Sequence, residues 1–287
     1  MKLHELYSIF HEVLQEIYPL KEERESIFFM LIIKVFECDK ATVRLRLIDQ
    51  EILDEIVREK LMKGLAALKS NTPIQYVLGQ AHFFDLDWTV DERVLIPRSE
   101  TEELISWVIA DQASKGPLRL LDVGTGSGCI AISLKHRSPE IKIHALDISA
   151  QALEIARQNA VQHNVEVFFH QIDILQDLSE SWPFFDVIVS NPPYVKESEK
   201  ALMHPNVYQY EPAEALFVPD EDPLIFYRKI ASWAKQKLSA RGVVYFEINQ
   251  FLATETASLI ERLGYTEVEI RKDIQGYPRM LKACVDC

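Results

Sequence analysis

The sequence is poor in the features that would place a protein in a membrane, outside the cell or on a nucleic acid. It has no uninterrupted apolar run near the roughly 20 residues that a membrane-spanning helix needs, and its start, Met1–Glu5, is charged rather than signal-like. Basic residues are also few, since 31 Lys and Arg stand against 44 Asp and Glu, a formal charge of −13. A protein that binds bare phosphate backbone usually presents a basic face. We therefore expect a folded cytoplasmic protein, active as a monomer on a protein or small molecule, with no membrane or nucleic-acid partner.

Cysteine is scarce as well. The four cysteines, Cys38, Cys129, Cys284 and Cys287, are scattered along the chain, which suits a reducing compartment. Cys284 and Cys287 have the spacing of a metal clip, but a structural zinc site needs four ligands and no second pair accompanies them. We therefore predict no metal site and interpret the last residues as a frayed tail.

The first part of the chain has a helical period. An apolar stripe runs from Leu3 to Ile17, a second helix is predicted over Glu22–Phe36, and a third stripe runs from Leu53 to Leu65. The segment Ser70–Pro73 ends the third helix. These residues predict a small helical bundle, residues 1–72, whose role is either packing or the docking of a partner.

A strand-like segment follows, from residue 73 to residue 98. Ile74–Gly79 reads as extended, and His82–Val90 partly alternates apolar and polar residues as a half-buried hairpin would. Ser99 and Glu102 have the spacing of a capping box, which predicts a helix over Thr101–Ala110. The segment is therefore expected to be a β-hairpin linker between two domains.

Residues 99–287 alternate strands with helices, which predicts an α/β domain with a doubly wound, largely parallel sheet. The predicted strands are Leu118–Val123, Ile141–Leu146, Val165–His170, Phe185–Ser190, Val243–Glu247 and Thr266–Arg271, and the predicted helices include Ala150–Gln162, Leu224–Leu238 and Phe251–Leu263.

Glycine is rare, yet three of the nine glycines fall within Gly124–Gly128, directly after the first strand of this domain. Glycines at alternate positions let the backbone turn sharply and approach a ligand closely, beside a helix N-terminus. From Gly126 to Ala131 the loop has the pattern Gly-x-Gly-x-x-Ala, the relaxed fingerprint of dinucleotide-binding proteins. From Asp122 to Gly128 it has the pattern Asp-x-Gly-x-Gly-x-Gly, which is typical of S-adenosylmethionine enzymes. Asp147, which ends the second strand, can accept both ribose hydroxyls of either cofactor.

The Asn191-Pro-Pro-Tyr194 segment decides between these cofactors. It follows the buried strand Phe185–Ser190, at the carboxyl end where open α/β sheets bind ligands. The side-chain oxygen of Asn191 and the carbonyl of Pro192 offer two acceptors beside the ring of Tyr194, which suits a planar NH₂ group. A methyltransferase acting on such a group explains this segment, and a hydride-transfer enzyme does not.

Together these segments resemble the release factor glutamine methyltransferase family (PrmC/HemK) over essentially the whole chain. The hairpin that ends in Leu95-Ile-Pro-Arg98, behind a helical domain, is the most specific part of the match, because the glycine loop and Asn-Pro-Pro-Tyr occur more widely. The segments that carry the resemblance are Pro73–Gly79, Val94–Glu102, Asp122–Gly128, Phe185–Tyr194, Tyr210–Pro212, Phe226–Arg228 and Gly276–Met280.

The resemblance implies a Rossmann-like, seven-stranded methyltransferase sheet, with S-adenosylmethionine as donor and S-adenosylhomocysteine as product. The acceptor would be the side-chain amide nitrogen (N5) of the Gln in the Gly-Gly-Gln motif of peptide chain release factors. We further expect residues 1–72 to dock the release factor, because they lie ahead of the hairpin and outside the α/β pattern, with 73–98 as the linker and 99–287 as the methyltransferase domain. The implied catalytic residues are Asn191, Pro192 and Tyr194, and Asn191, Pro192, Pro193, Tyr194 and Arg98 would bind substrate. The expected cofactor site is Gly124, Thr125, Gly126, Ser127, Gly128, Asp147, Asp173, Ile174 and Asn191. Asp173 and Ile174 are placed in it by their position after the third strand, where an adenine would lie, although Asp173 could equally cap its loop.

The chain departs from the family pattern at two places. Ser99 replaces the usual proline after Arg98, and Phe217–Leu224 lacks the glycines usual there. Three other functions remain open. A nucleic-acid amino methyltransferase, acting on adenine N6 or guanine N2, would need a basic groove; an NAD-dependent oxidoreductase fits the glycine loop alone; a binding module would not need the acceptor pair.

Overall fold

A computed structural model describes residues 1–112, 118–176 and 181–285. The chain divides into two compact units. The first, called the helical unit, comprises Met1–Gln80 and His204–Tyr210, and the second, called the sheet unit, comprises Ala81–Met203 and Glu211–Cys287. None of the described helices combines the length and the apolar character needed to span a bilayer.

Five helices form the N-terminal part of the helical unit: α1 (Leu3–Val13), α2 (Lys21–Phe36), α3 (Lys40–Ile48), α4 (Glu55–Lys69) and α5 (Ile74–Leu78). Their apolar stripes meet in a core built from α1, α2 and α4. The three helices expected from the sequence are confirmed, although α1 ends at Val13. The short α3 was not expected, because Arg44 and Arg46 interrupt the apolar spacing that reveals a helix.

The strand predicted over Ile74–Gly79 is wrong. Residues Ile74–Leu78 form α5, and Gly79, with φ at +64°, caps the end of this helix. A helix of five residues is too short for a 3.6-residue period to show, whereas its β-branched residues favour a strand. Ile74, Val77 and Leu78 pack against the helical core, so packing determines the conformation.

The sheet unit begins at Ala81, within the first strand of the predicted hairpin. Its strands are β1 (Gln80–Phe83) and β2 (Leu86–Thr89). Phe84 and Asp85 both have positive φ, which is the backbone of a type I′ turn. The buried side chain of Asn159 accepts from the Thr89 amide at 2.8 Å and donates to the Thr89 carbonyl at 3.1 Å, which anchors the hairpin.

The helix after the hairpin, α6 (Ser99–Gln112), starts two residues earlier than expected and lacks the predicted capping box. Ser99 is already helical, and its hydroxyl donates to the neighbouring Glu100 carboxylate. The Glu102 carboxylate accepts from the backbone N–H of Phe84 at 2.9 Å. Glu102 therefore binds the hairpin turn instead of the helix start.

The predicted seven-stranded sheet is confirmed, with the strand order β10-β11-β9-β6-β3-β4-β5. β5, β4, β3, β6 and β9 are parallel, and β11 is antiparallel to both of its neighbours. The elements are β3 (Arg119–Val123), α7 (Cys129–Arg137), β4 (Lys142–Asp147), α8 (Ala150–Gln162), β5 (Phe168–Gln171), β6 (Phe185–Ser190), β7 (Val195–Lys196), a 3-10 helix (Glu197–Leu202), α9 (Pro205–Tyr210), α10 (Ala213–Leu216), β8 (Phe217–Val218), α11 (Ile225–Lys237), β9 (Leu238–Glu247), a second 3-10 turn (Gln250–Leu252), α12 (Ala253–Arg262), β10 (Tyr265–Lys272) and β11 (Pro278–Val285).

The frayed tail predicted for the chain end is wrong for Cys284. This residue belongs to β11, where it pairs with Val243 of β9 and Thr266 of β10. The strand is buried on both faces of the sheet, as shown by its buried residues Met280, Leu281 and Ala283. It therefore lacks the alternation of apolar and polar residues by which a half-buried strand is recognised. Cys287 lies outside the described residues.

Candidate active site

The parallel strands bring five chain segments to one edge of the sheet. Gly124 follows β3, Asp147 ends β4, Asp173 lies just beyond β5, Asn191 follows β6 and Glu247 ends β9. Because the last residues of these strands pair with one another, their successors are neighbours along the carboxyl edge. This is where open α/β sheets bind their ligands.

The glycine loop has the backbone that its sequence predicts. Gly124, Gly126 and Gly128 have φ of +73°, +54° and +85°. A Cβ added at Gly124 or Gly126 would meet no atom within 4 Å, whereas one added at Gly128 would lie 2.7 Å from the side chain of Ile132. The first two glycines therefore keep space open beside the loop, and the third lets α7 pack closely.

Buried polar groups hold the rest of the loop. The Thr125 hydroxyl donates to Asp122 Oδ2 at 2.7 Å, and the Ser127 carbonyl accepts from Asn159 Nδ2 at 2.9 Å. Asp122 is fully buried, and its Oδ1 has no hydrogen-bond partner among the described residues. Burial raises the pKa of Asp122 to about 7.

Two further acids lie beside the loop. Asp147 Oδ2 accepts from the Gly126 amide at 2.8 Å while Oδ1 accepts from the amide of Ser149 at 2.9 Å, and burial raises the Asp147 pKa. Each oxygen of a carboxylate has a second lone pair, so further donors can bind there. Asp173 Oδ1 caps its own turn by accepting from the amide of the residue two positions later, and Ile174 is 7% exposed in the core.

The Asn191–Tyr194 loop is held by contacts on both sides. The hydroxyl of Ser190, the last residue of β6, donates to the carbonyl of Val123 at 2.7 Å. Asn249 Nδ2 donates to the carbonyl of Tyr194 at 3.0 Å. Pro192 is buried within the loop, while Pro193 is partly exposed. The loop is therefore fixed to β3 and to the end of β9.

Sequence reasoning missed two residues that contact this loop, Thr101 and Glu247. Asn191 Nδ2 lies 3.2 Å from Thr101 Oγ1, whose hydroxyl donates to Glu247 Oε2 at 2.6 Å. The Tyr194 hydroxyl donates to Glu247 Oε1 at 3.0 Å. Burial raises the pKa of Glu247. An acid that ends an apolar strand was the available signal for Glu247, since Asp147 was recognised by the same feature.

Arg98 forms an ion pair with Glu211. Its guanidinium donates to Glu211 Oε1 at 2.6 Å, and Glu211 Oε2 accepts from the Ile96 amide at 3.2 Å. Glu211 is 5% exposed, and burial raises its pKa while Arg98 lowers it. The pair fixes the segment between the hairpin and α6.

The family model and the relatives that match this chain are all described as methyltransferases. The family model described as methyltransferase small domain matches residues 104–209. A release factor glutamine methyltransferase of Flavobacterium psychrophilum is 45% identical over 94% of this chain and 96% of its own length. Relatives of the same description are 41% identical in Bacteroides thetaiotaomicron, over 94% of this chain and 95% of its own, and 36% identical in Streptococcus pneumoniae, over 98% of both.

Solved structures resemble the chain in fold. A methyltransferase from Pyrococcus furiosus matches with a TM-score of 0.51 and 18% identity, over 80% of this chain and 98% of its own. The catalytic domain of hMettl16 matches with a TM-score of 0.54 and 15% identity, over 81% of this chain and 82% of its own. At these identities the likeness extends to the architecture of the sheet alone.

Proposed function

The chain belongs to the release factor glutamine methyltransferase family, and on that premise we propose that the carboxyl edge of its sheet is the active site. There a methyl group passes from S-adenosylmethionine to the side-chain amide nitrogen (N5) of the Gln in the Gly-Gly-Gln motif of a peptide chain release factor. The observation that carries this assignment is the pairing of β3 with β6, which sets Asn191 beside the glycine loop.

The residues of the loop region fit the cofactor. Gly124 and Gly126 leave open the space that a Cβ would fill, which lets a ligand approach the backbone. Asp147 keeps lone pairs for two ribose hydroxyls, and Asp173 uses only one oxygen to cap its turn. Asp173 would accept from the adenine amine while Ile174 covers the ring. When bound, the cofactor supplies an electrophilic methyl group.

The acceptor loop would orient the substrate amide. A carboxamide nitrogen is a poor nucleophile, because its lone pair is delocalised into the carbonyl. The Asn191 side-chain oxygen and the Pro192 carbonyl would accept its two N–H groups and stabilise the positive charge that develops on nitrogen. Pro193 and Tyr194 would pack on the flat amide. Alignment of this kind can lower a barrier by roughly 7–11 kcal/mol.

The chain need not supply a general base. After transfer, the N-methylated amide cation is acidic enough to lose its proton to water. Glu247, the acid that contacts the acceptor loop, is held by the hydroxyls of Thr101 and Tyr194.

We infer that the helical unit docks the release factor. In the twelve-residue stretch 45–56 of this unit, four apolar side chains are more than 60% exposed: Leu45, Ile48, Ile52 and Ile56. Apolar side chains that stand singly on a surface are normal, but a concentration of them indicates an interaction site. The formal charge of −13 further favours a partner with a basic surface.

Labelled S-adenosylmethionine tests the proposed function directly. We expect label to enter a purified release factor, mass spectrometry to place it on the Gln of Gly-Gly-Gln, and a Gln→Ala release factor to remain unlabelled. A parallel reaction with RNA and DNA addresses the alternative of a nucleic-acid amine, and label found there but not in the release factor would refute the proposal.

A further inference from the structure

Thr101 and Glu247 connect the acceptor loop to a buried carboxyl group. Thr101 lies in the first turn of α6 and is 2% exposed, and Glu247 ends β9 and is 1% exposed. Neither belongs to the Asn191–Tyr194 segment. The hydrogen bonds of 3.2 Å from Asn191 to Thr101 and 2.6 Å from Thr101 to Glu247 form a relay that ends on a carboxylate.

The relay has a direction. An ionised carboxylate only accepts hydrogen bonds, whereas a hydroxyl has one proton to donate. Because the Thr101 proton is directed to Glu247, Thr101 Oγ1 can only accept from Asn191. The group of Asn191 that faces Thr101 must therefore be its NH₂, and its carbonyl oxygen Oδ1 is turned the other way.

The direction matters because the two ends of a carboxamide have nearly the same shape. Packing alone would allow Asn191 to rotate by half a turn. It would then present its NH₂ to the NH₂ of the substrate, so that two donors would face each other and no acceptor would stabilise the developing charge. A hydrogen-bond partner of fixed polarity removes this second state.

Glu247 also fixes the ring of the acceptor loop. Its other oxygen accepts from the Tyr194 hydroxyl at 3.0 Å, and the Tyr227 hydroxyl donates to the Glu247 carbonyl at 3.1 Å. Burial raises the pKa of Glu247, while its two hydroxyl donors and the charge of Arg279 act in the opposite direction. Glu247 thus holds two residues of the acceptor loop, Asn191 through Thr101 and Tyr194 directly.

The assignment that follows rests on the proposed function and goes beyond it. We propose that Thr101 and Glu247 are positioning residues, which set the polarity of the Asn191 carboxamide so that its oxygen faces the substrate amide.

Reversal of the relay tests this assignment. In Asn191→Asp, two carboxylates compete for the single proton of Thr101, so one of them loses its partner. In the double variant Asn191→Asp/Glu247→Gln, the new amide at position 247 donates to Thr101, and Thr101 donates to the new carboxylate at position 191. Both hydrogen bonds of the relay are then made again in the opposite direction, and an acceptor oxygen still faces the substrate.

We expect the double variant to methylate release factor about tenfold faster than Asn191→Asp alone, although Glu247→Gln by itself slows the wild-type enzyme. Addition of Thr101→Val to the double variant should abolish the gain, because the relay needs the hydroxyl. A purely structural role of Glu247 predicts that the two substitutions only add their losses. A double variant no faster than Asn191→Asp refutes the assignment.

A second pair remains informative if the double variant fails to fold. Thr101→Ser keeps the hydroxyl and should keep the wild-type kcat, whereas the isosteric Thr101→Val should lower kcat by about 10- to 100-fold with little change in the KM for release factor. Equal kcat values for the two variants also refute the assignment. Failure of the wild-type enzyme to methylate release factor would instead refute the proposed function.

Discussion

At the scale of single residues, the proposed site uses polar side chains that already serve the protein. Asp147 accepts two backbone amides and Asp173 caps its own turn, yet both retain acceptor capacity. Asn191 divides its carboxamide in the same way, since its nitrogen is bound to Thr101. Such side chains are preorganised, because their protein contacts fix them before a ligand binds.

Substitution of Asn191 should separate catalysis from cofactor binding. We expect Asn191→Ala to abolish methyl transfer while the affinity for S-adenosylmethionine stays nearly unchanged, because the side chain serves mainly the acceptor. Calorimetry with the cofactor and a single-turnover transfer assay measure the two effects. A loss of affinity in step with activity would assign Asn191 to the cofactor instead.

Asp122 should make the stability of the unliganded protein depend on pH. Its folded pKa is raised to about 7 by burial and by the charge of Asp147, whereas an unfolded Asp titrates near about 4. A raised pKa favours the protonated folded form, so the stability contribution is present below about pH 4 and is lost as pH rises to about 7. Asp122→Asn is uncharged throughout and removes this loss.

We therefore expect the unfolding free energy of Asp122→Asn, relative to wild type, to rise between pH 5 and pH 7 and to level off above. Urea denaturation at intervals across about pH 5–8 measures it. The exposed acid Asp85, whose side chain is 84% exposed, supplies the matched control Asp85→Asn. Parallel pH profiles for wild type and Asp122→Asn would contradict the prediction.

At the scale of elements, the glycine loop combines two structural requirements. All three glycines need a left-handed backbone, but only Gly128 is also close to neighbouring side chains, Ile132 and Ala156. The loop therefore has one side that packs on α7 and α8 and another that stays open, where we propose that the cofactor binds.

A pair of alanine substitutions should distinguish these sides. Gly124→Ala is expected to cost roughly 1–2 kcal/mol of stability through its positive φ and to weaken cofactor binding by filling the open space. Gly128→Ala carries the same strain and also places a Cβ 2.7 Å from Ile132, which adds roughly 1–3 kcal/mol. Urea denaturation and calorimetry on both variants test this, and equal stability losses would contradict it.

At the scale of the whole molecule, the chain forms a helical unit that contains the proposed docking surface and a sheet unit that contains the proposed active site. The helical unit extends to Gln80 and includes His204–Tyr210, where the Tyr210 hydroxyl donates to the Ser70 carbonyl. A truncation at residue 71 would remove the core on which α5 packs. Surface substitutions therefore test docking better than truncation does.

We expect Ile48→Asp/Ile52→Asp to lower kcat/KM for intact release factor by about 5- to 30-fold, the effect of losing a contact worth roughly 1–2 kcal/mol. The rate with a short Gly-Gly-Gln peptide should not change, because we propose that such a peptide contacts only the sheet unit. Val161→Asp, at a position 81% exposed on the sheet unit, is the control. Equal losses with peptide and protein would exclude docking through this surface.

Local patterns in the sequence determined much of this protein. Apolar periods predicted three of the bundle helices and the parallel strands, because backbone preference and burial repeat along the chain. The glycine loop, Asp147 and Asn191 were recognisable because each directly follows or ends an apolar strand. Short α5 and the two-sided strand β11 lacked such a pattern.

The tertiary structure alone decided which side chains meet at the site. Asn191 contacts Thr101 from 90 residues away, and Thr101 contacts Glu247 across 146 residues. These hydrogen bonds require β6 and β9 to be neighbours in the sheet. Which strands are neighbours depends on the order of all the strands in the sheet, and this order is set by the tertiary fold. The sequence could therefore determine that Asn191 follows a buried strand at the carboxyl edge of the sheet, while the fold decided how its carboxamide is oriented.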